Sequence, residues 1–140
     1  MSRVFWDTNL FIYLIEDFGE LSERVIGLRK RMLERNDALY TSAMTLGEVL
    51  VKPMEMAEQV LVEKYRRSIE IGATIIAFDE HAAEAYARIR CDRSIRPPDA
   101  IQLACAAAAG VDLFITNDDR LSQKNIDGIQ FITSLKAAYL

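Results

Sequence analysis

The chain has 140 residues, 51% hydrophobic and 27% charged. That is the size and composition of one ordinary domain spanning 1–140, able to bury roughly 70% of its unfolded surface, and it excludes a disordered or low-complexity polypeptide. A net charge of −4 and a pI of about 5.1 argue against a protein that grips nucleic acid through a broadly basic surface. No apolar run is long enough to span a bilayer and no secretory signal precedes Asp7, so no membrane association and a cytoplasmic location are expected.

The first predicted strand is Arg3 to Trp6, followed by a helix whose apolar residues Phe11, Leu14, Ile15 and Phe18 recur at helical spacing. Asp7 is then both strand end and helix cap. A longer helix places Leu21, Val25, Leu28 and Met32 on one stripe until Asn36-Asp37 breaks it. Leu39 to Thr41 reads as the second strand. Ser42 or Thr45 starts the next helix, with Thr45-x-x-Glu48 matching a capping box and Pro53 limiting the length. Leu61, Tyr65 and Ile69 mark a helix ending near Gly72, and the β-branched run Ala73 to Phe78 suits a buried strand. Asp79 caps a helix with Ala82, Ala85, Tyr86 and Ile89 toward the core and arginines on its other face.

Pro97 and Pro98 open a helix, because proline lacks an amide that would be orphaned there, and Gly110 ends it where a left-handed residue is needed. Ala100 to Ala109 is small and apolar enough for close approach to a sheet. Leu113 to Thr116 is the fourth strand, Asp118 to Lys124 a short helix, Ile129 to Ile132 a fifth strand, and Ser134 to Leu140 a terminal helix. The alternation predicts an α/β fold of three α/β/α layers around a mostly parallel sheet of about five strands. Cys91 and Cys105 have no histidine neighbours and read as small buried thiols rather than metal ligands or a disulfide.

Asp7, Glu48, Asp99 and Asp118 each stand where a strand ends or a helix begins. Singly, each is explained as a cap that satisfies orphan amides and favours the helix dipole, Glu48 most completely through its capping box, and Asp99 is expected to be held ionised by that dipole. Together they converge at the carboxyl edge of a parallel sheet, where open α/β proteins bind ligands. Clustered carboxylates raise each other's pKa unless a cation neutralises them, and hard divalent ions prefer oxygen donors. The site therefore reads as metal-dependent phosphodiester chemistry. Thr116 shares a face with Asp118 and is placed to orient a water there, whereas the adjoining Asp119 reads as a solvated turn residue.

No phosphate loop, dinucleotide fingerprint or nucleophile elbow is present. His81, the only histidine, reads as a surface residue. Trp6 reads as core, and Tyr13 fits either a core or a stacking role. The basic clusters Arg29 to Arg31, Lys64 with Arg66-Arg67, and Arg88 to Arg96 are each explained as solvated helix faces. The last differs in running directly into Asp99, which makes Arg93 and Arg96 candidates for holding substrate phosphates.

Val4-Phe5-Trp6-Asp7-Thr8-Asn9, Ser42 to Val49, Pro98-Asp99-Ala100-Ile101-Gln102-Leu103-Ala104 and Leu113 to Asp118 resemble, in order and over nearly the whole chain, the four acidic motifs of the PIN domain. They are most similar to the small VapC-like toxins of bacterial and archaeal toxin–antitoxin pairs. The resemblance implies an Mg²⁺- or Mn²⁺-dependent endoribonuclease with Asp7, Glu48, Asp99 and Asp118 as metal-binding acids and Asn9 and Thr116 as supporting positions. It further implies an RNA substrate, a homodimer and an inhibitory cognate antitoxin. Two departures touch the pocket: proline precedes Asp99, where many relatives have a small residue, and Pro53 follows the Glu48 motif closely. The competing expectations are a catalytically silent PIN-like module binding RNA or protein, and a receiver-like phospho-signalling domain. The latter lacks its acidic pair near the first strand and its lysine after the last.

Overall fold

In the computed structural model, which describes residues 1–138, the strands are β1 (Arg3–Trp6), β2 (Ala38–Ser42), β3 (Thr74–Ile76), β4 (Leu113–Thr116) and β5 (Phe131–Ser134). They form one sheet in the order β3-β2-β1-β4-β5, every pair parallel. The helices are α1 (Thr8–Ile15), α2 (Glu20–Arg35), α3 (Ala43–Glu55), α4 (Gln59–Gly72), α5 (Glu80–Ile89) and α6 (Pro97–Ala109).

Strand alternation sorts the core into two halves. Val4 and Trp6 of β1 and Ile115 of β4 pack with α1 to α4 on one face. Phe5 and Phe114 point the other way and pack with α5 and α6, their rings stacked with centroids 5.0 Å apart. Burial on both faces explains why β1 and β4 are continuous apolar runs rather than alternating ones. The expected three-layer α/β/α architecture is the one observed. The chain works outward from β1 through β2 to β3, then returns to the other side of β1 for β4 and β5. That reversal opens a crevice between the carboxyl ends of β1 and β4.

Several local expectations are corrected. Helix α1 ends at Ile15, so Phe18 lies beyond it and is exposed, while Leu10 and Tyr13 share the buried face with Phe11. Pro53 does not stop α3, which continues to Glu55 with the proline buried inside it. Only Thr74–Ile76 of the apolar run forms β3, an edge strand that is half-buried at most. Phe78 instead leaves the sheet and meets Tyr86 edge-on, 5.8 Å between centroids. Strand β5 starts two positions later than the hydrophobic pattern predicts, at Phe131, whose amide reaches Asp112 O. Ser134 belongs to this strand and residues 135–137 form a turn, so a helix does not start there; Tyr139 and Leu140, the end of that expected helix, lie outside the described residues. Cys91, in the turn that follows α5, is exposed, and only Cys105 is buried. Among the described residues no helix is long and apolar enough to cross a membrane.

One turn depends on glycine. Gly128 has φ of +96°, and a Cβ there would lie 2.9 Å from Ala107 O. Gly128→Ala is expected to destabilise the fold by about 1–3 kcal/mol, from the backbone strain and the clash with α6. A urea titration measures this; an unchanged midpoint would show that the turn relaxes freely.

Candidate metal and phosphodiester site

The crevice between β1 and β4 receives an acid from each side. Asp7 follows β1 directly and caps α1, its Oδ1 accepting the Thr8 amide at 2.8 Å. Its Oδ2 accepts the Thr116 hydroxyl at 2.8 Å, and the Thr116 Oγ1 in turn accepts the Asp118 amide at 3.0 Å. Thr116 is wholly buried. It therefore holds both acids at once, donating to Asp7 and accepting from the Asp118 amide.

Glu48 arrives from α3. The helix is capped by Ser42, whose Oγ accepts the Thr45 amide at 3.4 Å. This places Thr45 inside the first turn and dissolves the predicted capping box. Released from backbone capping, Glu48 uses its Oε1 to accept the Thr8 hydroxyl at 2.7 Å. Asp99 occupies the first turn of α6, behind the two prolines that start it. Its Oδ2 lies 3.9 Å from Arg96 Nε.

Behind the acids lies a polar cluster that pattern reading passed over. Gln102, one turn beyond Asp99 and 2% exposed, donates through Nε2 to Thr8 Oγ1 at 2.7 Å and to Thr45 Oγ1 at 2.8 Å. Its Oε1 accepts the Ser42 hydroxyl. A glutamine within the alanine-rich stretch of α6 was the available signal: a buried amide needs partners, and hydroxyls at the ends of neighbouring elements supply them. The cluster ties α1, α3 and α6 together immediately below Asp7, Glu48 and Asp99.

Burial lifts the Asp7 carboxyl to about 6, with Asp99 and Glu48 adding to the rise against the hydrogen bonds from Thr116 and Thr8. Asp99 is also raised, first by burial and then by Asp118 and Glu48, despite Arg96 and Arg120. Burial and the neighbouring acids thus push Asp99 against the direction in which the helix dipole acts. Asp118 moves the opposite way, lowered chiefly by the Arg120 guanidinium. Asp7 thus feels Asp99 and Glu48, and Asp99 feels Asp118 and Glu48, although among the described residues no three of the acids close onto a single point. Asp118 is turned aside onto Arg120, Nη2 to Oδ2 at 3.2 Å. The donors fit a hard divalent cation: they are all oxygens, and a cation relieves the repulsion and desolvation that raise Asp7 and Asp99.

The other expected site residues are more scattered. Asn9 is exposed on the first turn of α1, and among the described residues its side chain has no hydrogen-bond partner. Arg93 is exposed on the α5–α6 connection, and Arg90 is spent on that loop's own carbonyl, Ile95 O, at 2.7 Å. Arg96 is the member of this cluster that reaches one of the four acids. Trp6 is core. Tyr13 is buried too, its hydroxyl accepting Asn117 Nδ2 at 2.9 Å beside Asp118. His81 and Asp119 are exposed.

A family model described as PIN domain matches residues 4–127. No curated protein sequence matches the chain. Among solved structures, a chain of VapBC2 from Rickettsia felis, bound to a DNA fragment from their promoter, is similar at 15% identity and TM-score 0.74, over 94% of this chain and 97% of that one. A chain of the DNA-bound VapBC from Salmonella typhimurium is 22% identical with TM-score 0.67, covering 96% and 99%. A toxin–antitoxin complex from Klebsiella pneumoniae contains a chain 25% identical with TM-score 0.62, covering 91% and 95%.

Proposed function

This chain belongs to the PIN domain family, and from that membership we propose that it is a divalent-metal-dependent endoribonuclease, the toxin of a toxin–antitoxin pair. The observation that carries the reading is the set of four acids at the β1/β4 crevice, with Asp7 so buried among like charges that its carboxyl rises to about 6. A structural cap has no reason to be held in that state, whereas a cation ligand has. The likeness to toxin–antitoxin complexes supports a small antitoxin partner. Exposed Val51, Met54, Met56 and Val60 along α3 and the start of α4 suit a homodimer. The cytoplasm is the fitting compartment for RNA cleavage.

Asp7, Glu48, Asp99 and Asp118 would hold Mg²⁺ or Mn²⁺, which when bound supplies Lewis-acid polarisation of phosphoryl oxygens and acidifies water at neutral pH. The chain's own part is positioning. Thr116 keeps one carboxylate oxygen of Asp7 in place and Thr8 does the same for Glu48. Arg96, with Arg93 beside it, offers phosphate contacts at the α6 end of the crevice, and the exposed Asn9 supports from α1.

The test is cleavage of a mixed RNA pool with Mn²⁺ or Mg²⁺, run beside EDTA and Asp99→Asn. Cleavage is expected to need the metal and to fall at least about 100-fold in the variant, since even outer-shell changes cost about 10–100-fold. Full activity in folded Asp99→Asn would sink the assignment, and RNA binding without cleavage would favour the silent module.

A further inference from the structure

Arg120 stands where the sequence pattern marked no substrate-binding residue. Its amide donates to Asp118 Oδ1 at 2.9 Å, while its guanidinium approaches both carboxylate oxygens, Nε 3.4 Å from Oδ1 and Nη2 3.2 Å from Oδ2. The two attachments differ in strength. The amide belongs to the turn, but the guanidinium belongs to a side chain that is 70% exposed, and ion pairs so open to water contribute little. The guanidinium is a partner that Asp118 can exchange.

Beside this pair opens a cavity of about 300 Å³ lined by Ser94, Asp99, Asp118, Arg120, Gln123 and Lys124. Lys124 Nζ reaches Asp92 Oδ2 at 3.0 Å and Ser94 Oγ at 2.7 Å, tying the short helical turn Leu121–Gln123 to the connection after α5. The cavity is thus bordered both by two of the site's acids, Asp99 and Asp118, and by Arg120 and Lys124. On a chain of net charge −4, such a local pair of cations beside a phosphodiester site has a use in holding phosphate.

Resting on the nuclease reading above, we infer that Arg120 is a latch that changes partners: it neutralises Asp118 in the metal-free protein, and turns to a phosphodiester of the RNA strand in this cavity when Asp118 is given over to a divalent ion. A cation and the guanidinium compete for the same two oxygens of Asp118. Once released, the planar fork of Arg120 matches a phosphate in bidentate fashion, and it already borders the cavity. Lys124 supplies a second phosphate contact without touching any of the four acids.

The latch makes Arg120→Ala change two affinities in opposite directions. Mn²⁺ binding, measured by calorimetry without RNA, is expected to tighten about two- to fivefold, the range an exposed ion pair accounts for. Binding of a labelled single-stranded RNA, measured by anisotropy with Ca²⁺ in place of Mn²⁺ and before cleavage sets in, is expected to weaken, with its salt dependence shallower by about 0.7 because one phosphate is no longer neutralised, and to change less in EDTA, where Asp118 keeps the guanidinium. Lys124→Ala is expected to weaken RNA binding alone. Unchanged Mn²⁺ affinity in Arg120→Ala, or equal tightening in Lys124→Ala, overturns the latch and leaves the nuclease reading standing. A parent chain that binds no Mn²⁺, or binds it equally well as Asp99→Asn, overturns the nuclease reading and the latch with it. Misfolding would weaken both affinities and so cannot imitate the expected result.

Discussion

Asp7→Asn is expected to yield a protein more stable than its parent at pH 7.5 and at least about 100-fold slower on RNA. The folded chain holds the Asp7 proton more tightly than the unfolded chain does, with a carboxyl raised from 3.8 to about 6 by burial and by Asp99 and Glu48. This group's contribution to stability is therefore complete below about pH 4 and is lost as pH rises through about 6, a span worth about 3 kcal/mol. Asparagine carries no charge to desolvate and caps a helix about as well as aspartate. It gives up one accepted hydrogen bond, so a net gain of about 1–3 kcal/mol at pH 7.5 is expected, or several degrees in Tm. Calorimetry across pH 4 to 8 checks it: between about pH 4 and 6 the parent's Tm should fall more steeply than the variant's, which keeps only the raised Asp99, and Mg²⁺ should restore the parent more than the variant. A variant less stable than the parent at pH 7.5 would mean that Asp7 is a contented cap.

Gln102→Leu should act in the reverse sense, lowering stability and disordering the site together. The amide carries three hydrogen bonds in a buried setting, to Thr8, Thr45 and Ser42. Leucine fills similar space but leaves hydroxyls without a partner, at about 1–3 kcal/mol for each group left unsatisfied, so a loss of about 2–4 kcal/mol is expected. Because Thr8 Oγ1 both accepts from Gln102 and donates to Glu48, the change should reach the acids as well. Cleavage is expected to fall about 10- to 100-fold at a temperature where the variant is still folded. Urea titration and a cleavage assay on one preparation separate the two effects. A variant that loses stability but cleaves normally would confine Gln102 to the scaffold.

Much of the architecture was legible because it rests on period and punctuation. β1 and β4 are short apolar runs each followed closely by an acid, Pro97 and Gly110 bracket α6, and Asn36, in the left-handed region, ends α2. Where the pattern misled, tertiary partners decided. Ala73 to Phe78 has the composition of a central strand, yet it falls at the edge of the sheet and only its middle pairs. Ile129 is buried like a strand residue but sits in the loop that delivers β5. The four acids could be picked out singly, since strand ends and helix starts are local features. The role of Glu48 needed the structure, because the two starts for α3 differ only in whether Ser42 Oγ accepts the Thr45 amide or Thr45 Oγ accepts the Glu48 amide. The Gln102 cluster was beyond pattern reading for the same reason: its bonds span 57, 60 and 94 residues. Arg120 was hidden in a turn, where side-chain direction does not follow from period.

The return of the chain to β1 also carries a consequence for how such a protein comes into being. Thr116 orients Asp7 across 109 residues of chain, and β4 takes its place beside β1 only after β2, β3 and all six helices have been laid down. While the polypeptide is still emerging from the ribosome, one flank of β1 is bare and its aspartate has neither its threonine nor its partner acid. On the ribonuclease reading proposed above, a centre assembled in that order would be inert throughout most of synthesis. The translating message, an RNA always within reach, would thereby be spared until β4 has been added.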